Sequence, residues 1–329
     1  MQKAHYHVLG IGNAIVDVLW QTDDDFLVRH GLAKGSMTLI EAEAAERLYA
    51  DMGEAIESSG GSVANSMAGL ASLGARGCYV GKVRDDQLGQ IFRHDIRAIG
   101  VDFPTAPAIA GPPTARCLVL VTPDAQRTMC TYLGASTALG PEDVDEALVA
   151  AAEITYLEGY LWDPPRAKEA FLKAMRAAHA AGRRVALSLS DRFCVKRYRE
   201  EFLELVDNHV DILFANEHEA MALFQVEDFA AAVAALNGRV PIAALTRSAA
   251  GSTVLSDGET TVVAAERLGQ VIDTTGAGDL YAAGFLYGLT HGRQAADCGR
   301  IASLAAAEAI SHLGARPRRN LKQLVAQFR

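Results

Sequence analysis

A glycine-rich turn at residues 273–285 leads directly into an apolar pattern of helical period. The first N–H groups of a helix have no carbonyl partners within it, so they remain free to bind a ligand. We predict that the amides of Gly276, Ala277 and Gly278 form a nest for the negative charge of a phosphate. Asp279 follows where a carboxylate could take a proton from an attacking hydroxyl. The helix dipole alone would also favour an acid there, so this motif leaves both interpretations open.

A second pair of glycines precedes a helical pattern at residues 59–66. Gly60 and Gly61 allow the backbone to approach a ligand closely. Asn65, one turn into the predicted helix, offers an amide donor and an acceptor to a polyol. An ordinary loop with a helix cap is the simpler explanation of an isolated glycine pair, so the functional interpretation depends on the two motifs together.

The N-terminal apolar strand ends in a Gly-x-Gly sequence at residues 10–12. This sequence resembles a dinucleotide-binding fingerprint, but Ile15 occupies the position of the third glycine, which argues against a Rossmann dehydrogenase. We predict that Asn13 and Asp17 lie just past the C-terminal end of the strand, at the edge where open α/β sheets bind ligands. The Asp17 carboxylate would suit vicinal hydroxyls.

Three other catalytic motifs are excluded by single positions. Arg76 and Val83 stand where a P-loop requires a glycine and a hydroxyl residue, so a Walker nucleotide site is absent. Ala222 replaces the second histidine of a zincin helix. The run at 61–64 lacks the closing glycine of a serine nucleophile elbow. Acyl transfer and zinc-dependent proteolysis therefore have no support.

The elements that must position these residues alternate regularly from about residue 150 onward. Short runs that are apolar throughout are separated by longer stretches of helical period, as in a parallel sheet covered by helices on both faces. We therefore predict an α/β fold with a doubly wound, mostly parallel sheet. The expected strands and helices are residues 154–157, 166–180, 185–189, 198–206, 211–215 and 217–224 in alternation.

The first third of the chain predicts a second, smaller sheet. Residues 8–12 begin a core strand, whereas 37–40, 116–121 and 128–133 are strand-like without helices between them. The turn residues at 122–126 predict a hairpin joining the last two. We expect segments 14–40 and 114–133 to form a small β-sheet lid. Segments 1–13, 41–113 and 134–329 would form one α/β core that binds nucleotide and substrate.

Composition excludes several classes of partner. The 329 residues include 31 Lys and Arg against 40 Asp and Glu, a formal charge of −9, with no basic run. Nucleic acid and anionic membranes both require clustered positive charge, so we expect neither as a partner. The five cysteines form no C-x-x-C pair, which disfavours a disulfide framework or a zinc site. With no signal-peptide pattern and no long apolar span, we expect a cytoplasmic protein.

Four motifs together resemble those of a known family. Gly60-Gly61 with Asn65, and the run at 273–279, resemble the two signatures of the ribokinase-like, phosphofructokinase-B carbohydrate kinases, in order and in spacing. Residues 216–219 look like the family's Asn-x-x-Glu motif. Residues 246–251 resemble its Thr-Lys-Gly-x-x-Gly nucleotide loop, with departures at Arg247 and Ser248. The resemblance extends from residue 10 to residue 284 and implies a ribokinase-like fold.

The resemblance also implies a reaction. The γ-phosphoryl group of ATP would pass to a hydroxymethyl oxygen, with Asp279 as general base and the amides of residues 276–278 as anion hole. Glu219 would organise Mg²⁺, largely through water. Asp273 matches a family position that ligates a monovalent cation, which would be K⁺. The implied nucleotide contacts are Asn216, Glu219, Thr246, Arg247, Gly251, Gly276 and Gly278.

Within the family, residues 12–17, 26–52 and 216–220 are most similar to adenosine kinases. The implied acceptor is the 5′-hydroxyl of a nucleoside, adenosine first, with Asp17 on the ribose 2′- and 3′-hydroxyls. Tyr160 would stack on the purine, although an aromatic residue there is as often part of the core. The other implied substrate contacts are Asn13, Gly60, Gly61, Asn65, Leu133 and Leu161.

Two alternatives remain open at this stage. A sugar kinase acting on ribose or fructose would use the same phosphate machinery and differ only in the lid and the base pocket. A nucleoside-binding regulatory protein without catalysis is disfavoured by Asp279 and the intact glycine run. The sequence is compatible with a monomer or a homodimer.

Overall fold

A computed structural model describes residues 4–124 and 126–327 and confirms the α/β fold. Its strands are β1 Tyr6–Ile11, β2 Ile15–Gln21, β3 Met37–Leu39, β4 Ile56–Gly60, β5 Gly77–Val80, β6 Val101–Asp102, β7 Ala115–Val121, β8 Arg127–Tyr132, β9 Ala152–Glu158, β10 Arg184–Ser188, β11 Ile212–Asn216, β12 Ile242–Thr246, β13 Ser252–Ser256 and β14 Glu259–Val263.

The α-helices alternate with most of these strands. They are α1 Asp24–Arg29, α2 Ala42–Asp51, α3 Ser62–Leu73, α4 Gln87–Ala98, α5 Glu146–Ala150, α6 Pro165–Ala180, α7 Arg192–Arg197, α8 Arg199–Asn208, α9 Glu217–Phe224, α10 Phe229–Leu236, α11 Ala277–Thr290, α12 Ala295–Ala309 and α13 Leu321–Gln327. None of the helices in the described ranges is long and apolar enough to cross a membrane.

The large sheet has nine strands in the order β14-β13-β12-β11-β10-β9-β1-β5-β6. The seven strands β6, β5, β1, β9, β10, β11 and β12, which are neighbours in this order, are all parallel. β13 and β14 extend the sheet beyond β12 and pair antiparallel. Apolar side chains are buried on both faces, with Tyr156 and Phe285 in one core cluster and Leu157 and Phe171 in the other. The sheet is therefore doubly wound, as the uninterrupted apolar strands predict.

The second sheet has five strands in the order β3-β8-β7-β2-β4. The predicted hairpin is present, with Arg116 opposite Tyr132 in the antiparallel pair β7–β8; position 125 of its turn lies outside the described residues. The assignment of residues 56–60 to the core needs correction, because β4 pairs with β2 in this small sheet. A five-residue strand that contains two serines and ends in glycine has little β-propensity of its own.

Two connections between the sheets are very short. β1 of the large sheet is followed by Gly12, Asn13 and Ala14 and then by β2 of the small sheet. On the return path, only Gly61 separates β4 from α3. Asn13 and Gly61 therefore stand at the joints between the two sheets, and we call them the joint residues.

Side-chain caps fix where the helices near the site begin. The Asn216 side chain accepts hydrogen bonds from the N–H groups of His218 and Glu219, and the Glu219 carboxylate accepts one from the backbone N–H of Asn216, a reciprocal capping box. Helix α11 instead begins after Gly276, whose φ of +78° lies in the left-handed region. Glycine adopts this conformation without the steric cost of a Cβ atom.

Candidate active site

The carboxyl ends of the central strands and one face of the small sheet enclose a cavity of about 940 Å³. The starts of α3 and α11 complete its floor. Of the residues that the sequence predicts, the cavity is lined by Asn13, Asp17, Gly61, Asn65, Leu133, Tyr160, Asn216, Glu219, Thr246, Gly276, Gly278 and Asp279. Segments more than 200 positions apart in the chain thus meet at one site, because parallel strands place their carboxyl ends at the same edge.

Asp279 is held by the start of helix α3. Its Oδ1 accepts a hydrogen bond from Ser62 Oγ at 2.6 Å, and its Oδ2 accepts one from Asn65 Nδ2 at 3.0 Å. Burial raises the pKa of Asp279 to about 6, although these two hydrogen bonds lower it. The carboxylate is therefore ionised at neutral pH, oriented by two donors, and basic enough to accept a proton.

Asn13 and Asn65 present the same chemistry to the cavity. Each donates its amide NH₂ to a carboxylate, Asn13 to Glu158 at 2.8 Å and Asn65 to Asp279 at 3.0 Å. Because the Nδ2 atoms face these carboxylate oxygens, the amide oxygen Oδ1 of each asparagine points away from its carboxylate. Among the described residues, the buried Oδ1 atoms of Asn13 and Asn65 have no hydrogen-bond donor. Both can accept from the hydroxyl groups of a bound polyol.

Glu158 is a site residue that the sequence analysis missed. Its side chain is 1% exposed. It accepts hydrogen bonds from Asn13 N at 2.9 Å, Asn13 Nδ2 at 2.8 Å and Val63 N at 2.9 Å. Burial raises the pKa of Glu158 to about 7. One carboxylate thus fixes both the joint at Asn13 and the first turn of α3.

Asp17 reaches the cavity by a different route from the one predicted. It does not follow β1 directly but lies within β2 of the small sheet, opposite Ser58. Burial raises the pKa of Asp17 to about 6, against the positive charges of Arg316 and Arg127. Gly60 does not line the cavity; a Cβ atom there would lie 2.3 Å from Asp17 Oδ2, so this glycine makes room for the carboxylate.

The predicted anion hole has fewer free amide groups than expected. The Ala277 N–H donates to the Thr274 carbonyl at 3.2 Å, and Ala277 does not line the cavity. Within the described ranges, the N–H groups of Gly276 and Gly278 donate to no backbone carbonyl. A Cβ atom on Gly278 would meet no protein atom within 4 Å. The space above Gly278 is open to a ligand, and two amides rather than three are free to bind it.

Asp273 lies beneath this loop, outside the cavity lining. Its Oδ1 accepts from Thr275 N at 3.0 Å and its Oδ2 from Gly314 N at 2.9 Å. Arg127 Nη2 lies 2.7 Å from the same Oδ2. This arginine, which the sequence does not mark, thus forms an ion pair with Asp273. The monovalent-cation role of Asp273 stays a prediction.

Only some of the predicted nucleotide-binding residues line the cavity. Thr246, Asn216 and Glu219 line the cavity. Arg247 does not: its Nε lies 3.4 Å from Glu217 and its guanidinium carbon lies 4.4 Å from the Phe229 ring centroid. Gly251 also lies outside the lining and closes a tight turn, with Arg247 N donating to its carbonyl at 2.7 Å.

Glu219 fits a role in holding a hydrated divalent metal. It is 5% exposed, and burial raises its pKa to about 7. Both of its oxygens accept hydrogen bonds from Asn216, and the residue lines the cavity. Among the described residues, no group of three or more His, Cys, Asp or Glu side chains could cage a metal ion. Mg²⁺ commonly keeps several waters and uses few protein ligands, which suits this arrangement.

One wall of the cavity is apolar. The cavity-facing side of the small sheet carries Met37, Leu39 and Met129, next to Leu133. Tyr160 lies at the rim, 36% exposed, and its N–H donates to Ser190 Oγ at 3.2 Å. Leu161, in contrast, is 1% exposed and packs in the core below. Apolar side chains and an aromatic ring above a polar floor suit a ligand with one flat apolar part and one hydroxylated part.

Comparison with known proteins agrees with this geometry. Residues 35–321 match the pfkB family of carbohydrate kinases. The chain belongs to this family. Among solved structures, adenosine kinase from Sinorhizobium meliloti is 54% identical, with a TM-score of 0.92 over 99% of this chain and 100% of that one. The chain is therefore a phosphotransferase that acts on a hydroxyl group of a sugar or nucleoside.

Curated relatives are more distant and differ in acceptor. An ATP-dependent ribose-1-phosphate kinase from Halopiger xanaduensis is 30% identical over 70% of this chain and 73% of its own. The guanosine-inosine kinase of Escherichia coli K12 is 28% identical over 66% of this chain, which spans only about half, 52%, of that protein. The acceptors in these two names, ribose 1-phosphate and guanosine or inosine, are different.

Proposed function

We propose that this pfkB-family enzyme transfers the γ-phosphoryl group of ATP to the 5′-hydroxyl of a nucleoside, adenosine first. The observation that carries the proposal is the position of Asp279, fixed by Ser62 and Asn65 next to the two free amides of the anion hole. The whole-length similarity to an adenosine kinase and the apolar wall above the polar floor support a nucleoside over a free sugar.

The acceptor is oriented by the polar floor. Asp17 accepts hydrogen bonds from the ribose 2′- and 3′-hydroxyls, and Asn13 and Asn65, each with a free Oδ1 atom, orient the sugar from the cavity floor. The proton of the 5′-hydroxyl is left to Asp279. Gly61 lets the sugar approach the backbone. The base lies against Leu133 and Tyr160, at the apolar wall.

Asp279 then takes the proton from the 5′-hydroxyl as that oxygen attacks the γ-phosphorus. A bond forms between the acceptor oxygen and phosphorus, and the bond between phosphorus and the leaving oxygen of ADP breaks. The Gly276 and Gly278 amides stabilise the charge on the transferring group. Asn216 and Glu219 would hold Mg²⁺ through its water ligands, and Thr246 would contact the nucleotide. When bound, the metal neutralises phosphate charge.

The test is acceptor-dependent release of ADP from Mg·ATP with adenosine, guanosine, inosine, ribose and fructose. Asp279→Asn should lower turnover by about 10²–10⁴-fold while nucleoside binding persists, the range expected for loss of a general base. Asp257→Asn is the matched control, since Asp257 is exposed and remote from the cavity. Preference for ribose or fructose would overturn the nucleoside assignment, and near-normal turnover of Asp279→Asn would overturn the role of the base.

A further inference from the structure

Arg316 is a charged residue of the cavity to which the mechanism above assigns no role. It lines the same cavity as Asp17, Gly276 and Asp279. Its Nε and Nη2 atoms are buried and, within the described part of the chain, have no hydrogen-bond partner. No nitrogen of the Arg316 side chain lies within 4.0 Å of a carboxylate oxygen in the described residues, so the Nε and Nη2 donors are free for a ligand.

The segment that carries Arg316 is fixed against the anion hole. A Cβ atom on Gly276 would lie 2.7 Å from Ala315 Cα, so the two backbones are in direct contact. One residue earlier, Gly314 N donates to Asp273 Oδ2 at 2.9 Å, beneath the same loop. The position of Arg316 is thus coupled to the loop that carries the free amides.

The far side of this segment is fixed by a buried acid. Glu308 is fully buried, and its Oε1 accepts from Arg318 N at 3.0 Å and from Arg319 N at 2.9 Å. His312 Nε2 lies 3.2 Å from the same oxygen. With both sides held, Arg316 is presented to the cavity from a rigid backbone, as a precise binding group requires.

The charges around Arg316 favour an anion from outside the protein. Burial lowers the pKa of Arg316, against the charges of Asp17, Asp95 and Tyr79, which raise it. Asp95 is engaged with Ser59 N at 3.1 Å, and Asp17 is assigned to the acceptor hydroxyls. A guanidinium stays protonated in proteins, so a half-buried cation remains with free N–H groups beside an anion hole.

We propose that Arg316 is a further catalytic residue, whose guanidinium binds oxygens of the phosphoryl group as it passes to the acceptor hydroxyl. The proposal rests on the function proposed above. The planar N–H fork of arginine matches phosphate oxygens, and cationic side chains stabilise the charge of a transferring phosphoryl group. Arg316 gains and loses no proton; the acceptor proton passes to Asp279.

The alternative role for Arg316 is indirect, through the charge of Asp17. In that case its loss would raise the pKa of Asp17 and weaken acceptor binding, with a shifted pH dependence of kcat/KM for the acceptor. A direct role predicts a lower kcat with an unchanged acceptor KM. The two roles therefore differ in which kinetic parameter changes and in the pH profile.

The experiment compares Arg316→Gln with wild type in kinetics and in calorimetric binding of adenosine and of AMP. We expect kcat to fall by about 10²–10³-fold, adenosine affinity to be unchanged, and AMP affinity to fall by about tenfold or more. Arg319→Gln is the matched control, because that exposed arginine of the same segment does not line the cavity. Guanidinium ion added to Arg316→Ala should restore part of the rate.

Three results would overturn the direct role: wild-type kinetics in Arg316→Gln, equal losses of adenosine and AMP affinity, or no rescue of Arg316→Ala despite an unchanged fold by circular dichroism. Arg316→Lys keeps the positive charge and is the conservative variant to use if Arg316→Gln does not fold. It should retain part of the wild-type rate. The acceptor preference of the wild-type enzyme tests the nucleoside assignment separately from the role of Arg316. If wild type prefers a sugar, the same comparison with that sugar and its phosphate tests Arg316.

Discussion

The protonation state of one carboxylate should set the pH dependence of the reaction. Asp279 accepts a proton only when it is ionised, and burial raises its pKa to about 6. We therefore expect kcat to rise as the pH increases through about 6 and to level off above it. The measurement is kcat at saturating substrates from about pH 5 to pH 8. The residual kcat of Asp279→Asn should not show this rise with pH. A wild-type kcat that does not change with pH would contradict the assignment of Asp279 as the general base.

Glu158 should matter for acceptor binding although it is not assigned a contact with the acceptor. Glu158→Gln replaces one of the two accepting oxygens with an NH₂ group, so either Asn13 or Val63, at the start of α3, loses its acceptor. Losing a hydrogen bond to a charged group costs about 1.5–3 kcal/mol, which corresponds to about a 10–100-fold higher acceptor KM.

The measurement for Glu158 is KM for the acceptor and for ATP in parallel. The ATP value should change little, because Thr246 and Glu219 are carried by other strands. Glu153→Gln, at the opposite end of β9, is the control. An unchanged acceptor KM in Glu158→Gln would show that Asn13 needs no such support.

Single residues were predictable where they belong to a motif. Asp279 and Asn65 follow glycines at helix starts, so local geometry restricts where they point. Glu158, Arg127 and Arg316 are isolated charged residues on a strand end, a hairpin and a loop, and no periodicity marks them. Their partners lie 95 and more positions away in the pairs Glu158–Val63 and Arg127–Thr275, so only the folded chain brings them together.

The element scale is best tested at the joint between β4 and α3. Gly61 has φ of +98°, and a Cβ atom there would lie 2.2 Å from the Asn13 carbonyl oxygen. Gly238 has φ of +80° with nothing within 4 Å, so it isolates the conformational cost. We expect Gly238→Ala to lower the free energy of unfolding by about 1 kcal/mol. Gly61→Ala should lower it by about 3 kcal/mol or more, since strain and a backbone clash combine.

Denaturant unfolding of both glycine variants, together with acceptor KM, provides the check. Gly61→Ala should also raise the acceptor KM, because the clash displaces the Asn13 backbone from the cavity floor. Gly238→Ala should leave KM unchanged. Equal effects of the two substitutions would mean that the close approach at Gly61 has no energetic consequence.

Helices and strands were predictable from the sequence where their buried residues repeat in a regular apolar pattern. The apolar run of β9 follows from burial on both faces of the sheet and the helical period of α6 from burial on one side of the helix, and both elements are present. β4 carries little apolar signal, and β2 begins only three residues after β1. The sequence therefore predicts Asp17 just past the end of a core strand, whereas Asp17 belongs to the small sheet.

For the molecule as a whole, we expect the small sheet to close over the acceptor and exclude water, so that ATP is not hydrolysed without transfer. Amide hydrogen exchange with and without adenosine tests this expectation. Exchange in β3 and β8 should slow when the acceptor binds, because these strands lie over the cavity. β13, at the far side of the large sheet, should be unaffected. Equal exchange in β3 and β8 in both states would contradict closure.

The joint residues have a consequence for redesigning this enzyme. Asn13 and Gly61 both line the cavity and connect the small sheet to the α/β core, so a substitution there alters the cavity lining and this connection at once. Met37, Leu39 and Met129 face the same cavity from within strands of the small sheet and connect nothing. A mutant library confined to these three positions would vary the apolar wall of the cavity while leaving the connections between β1 and β2 and between β4 and α3 intact.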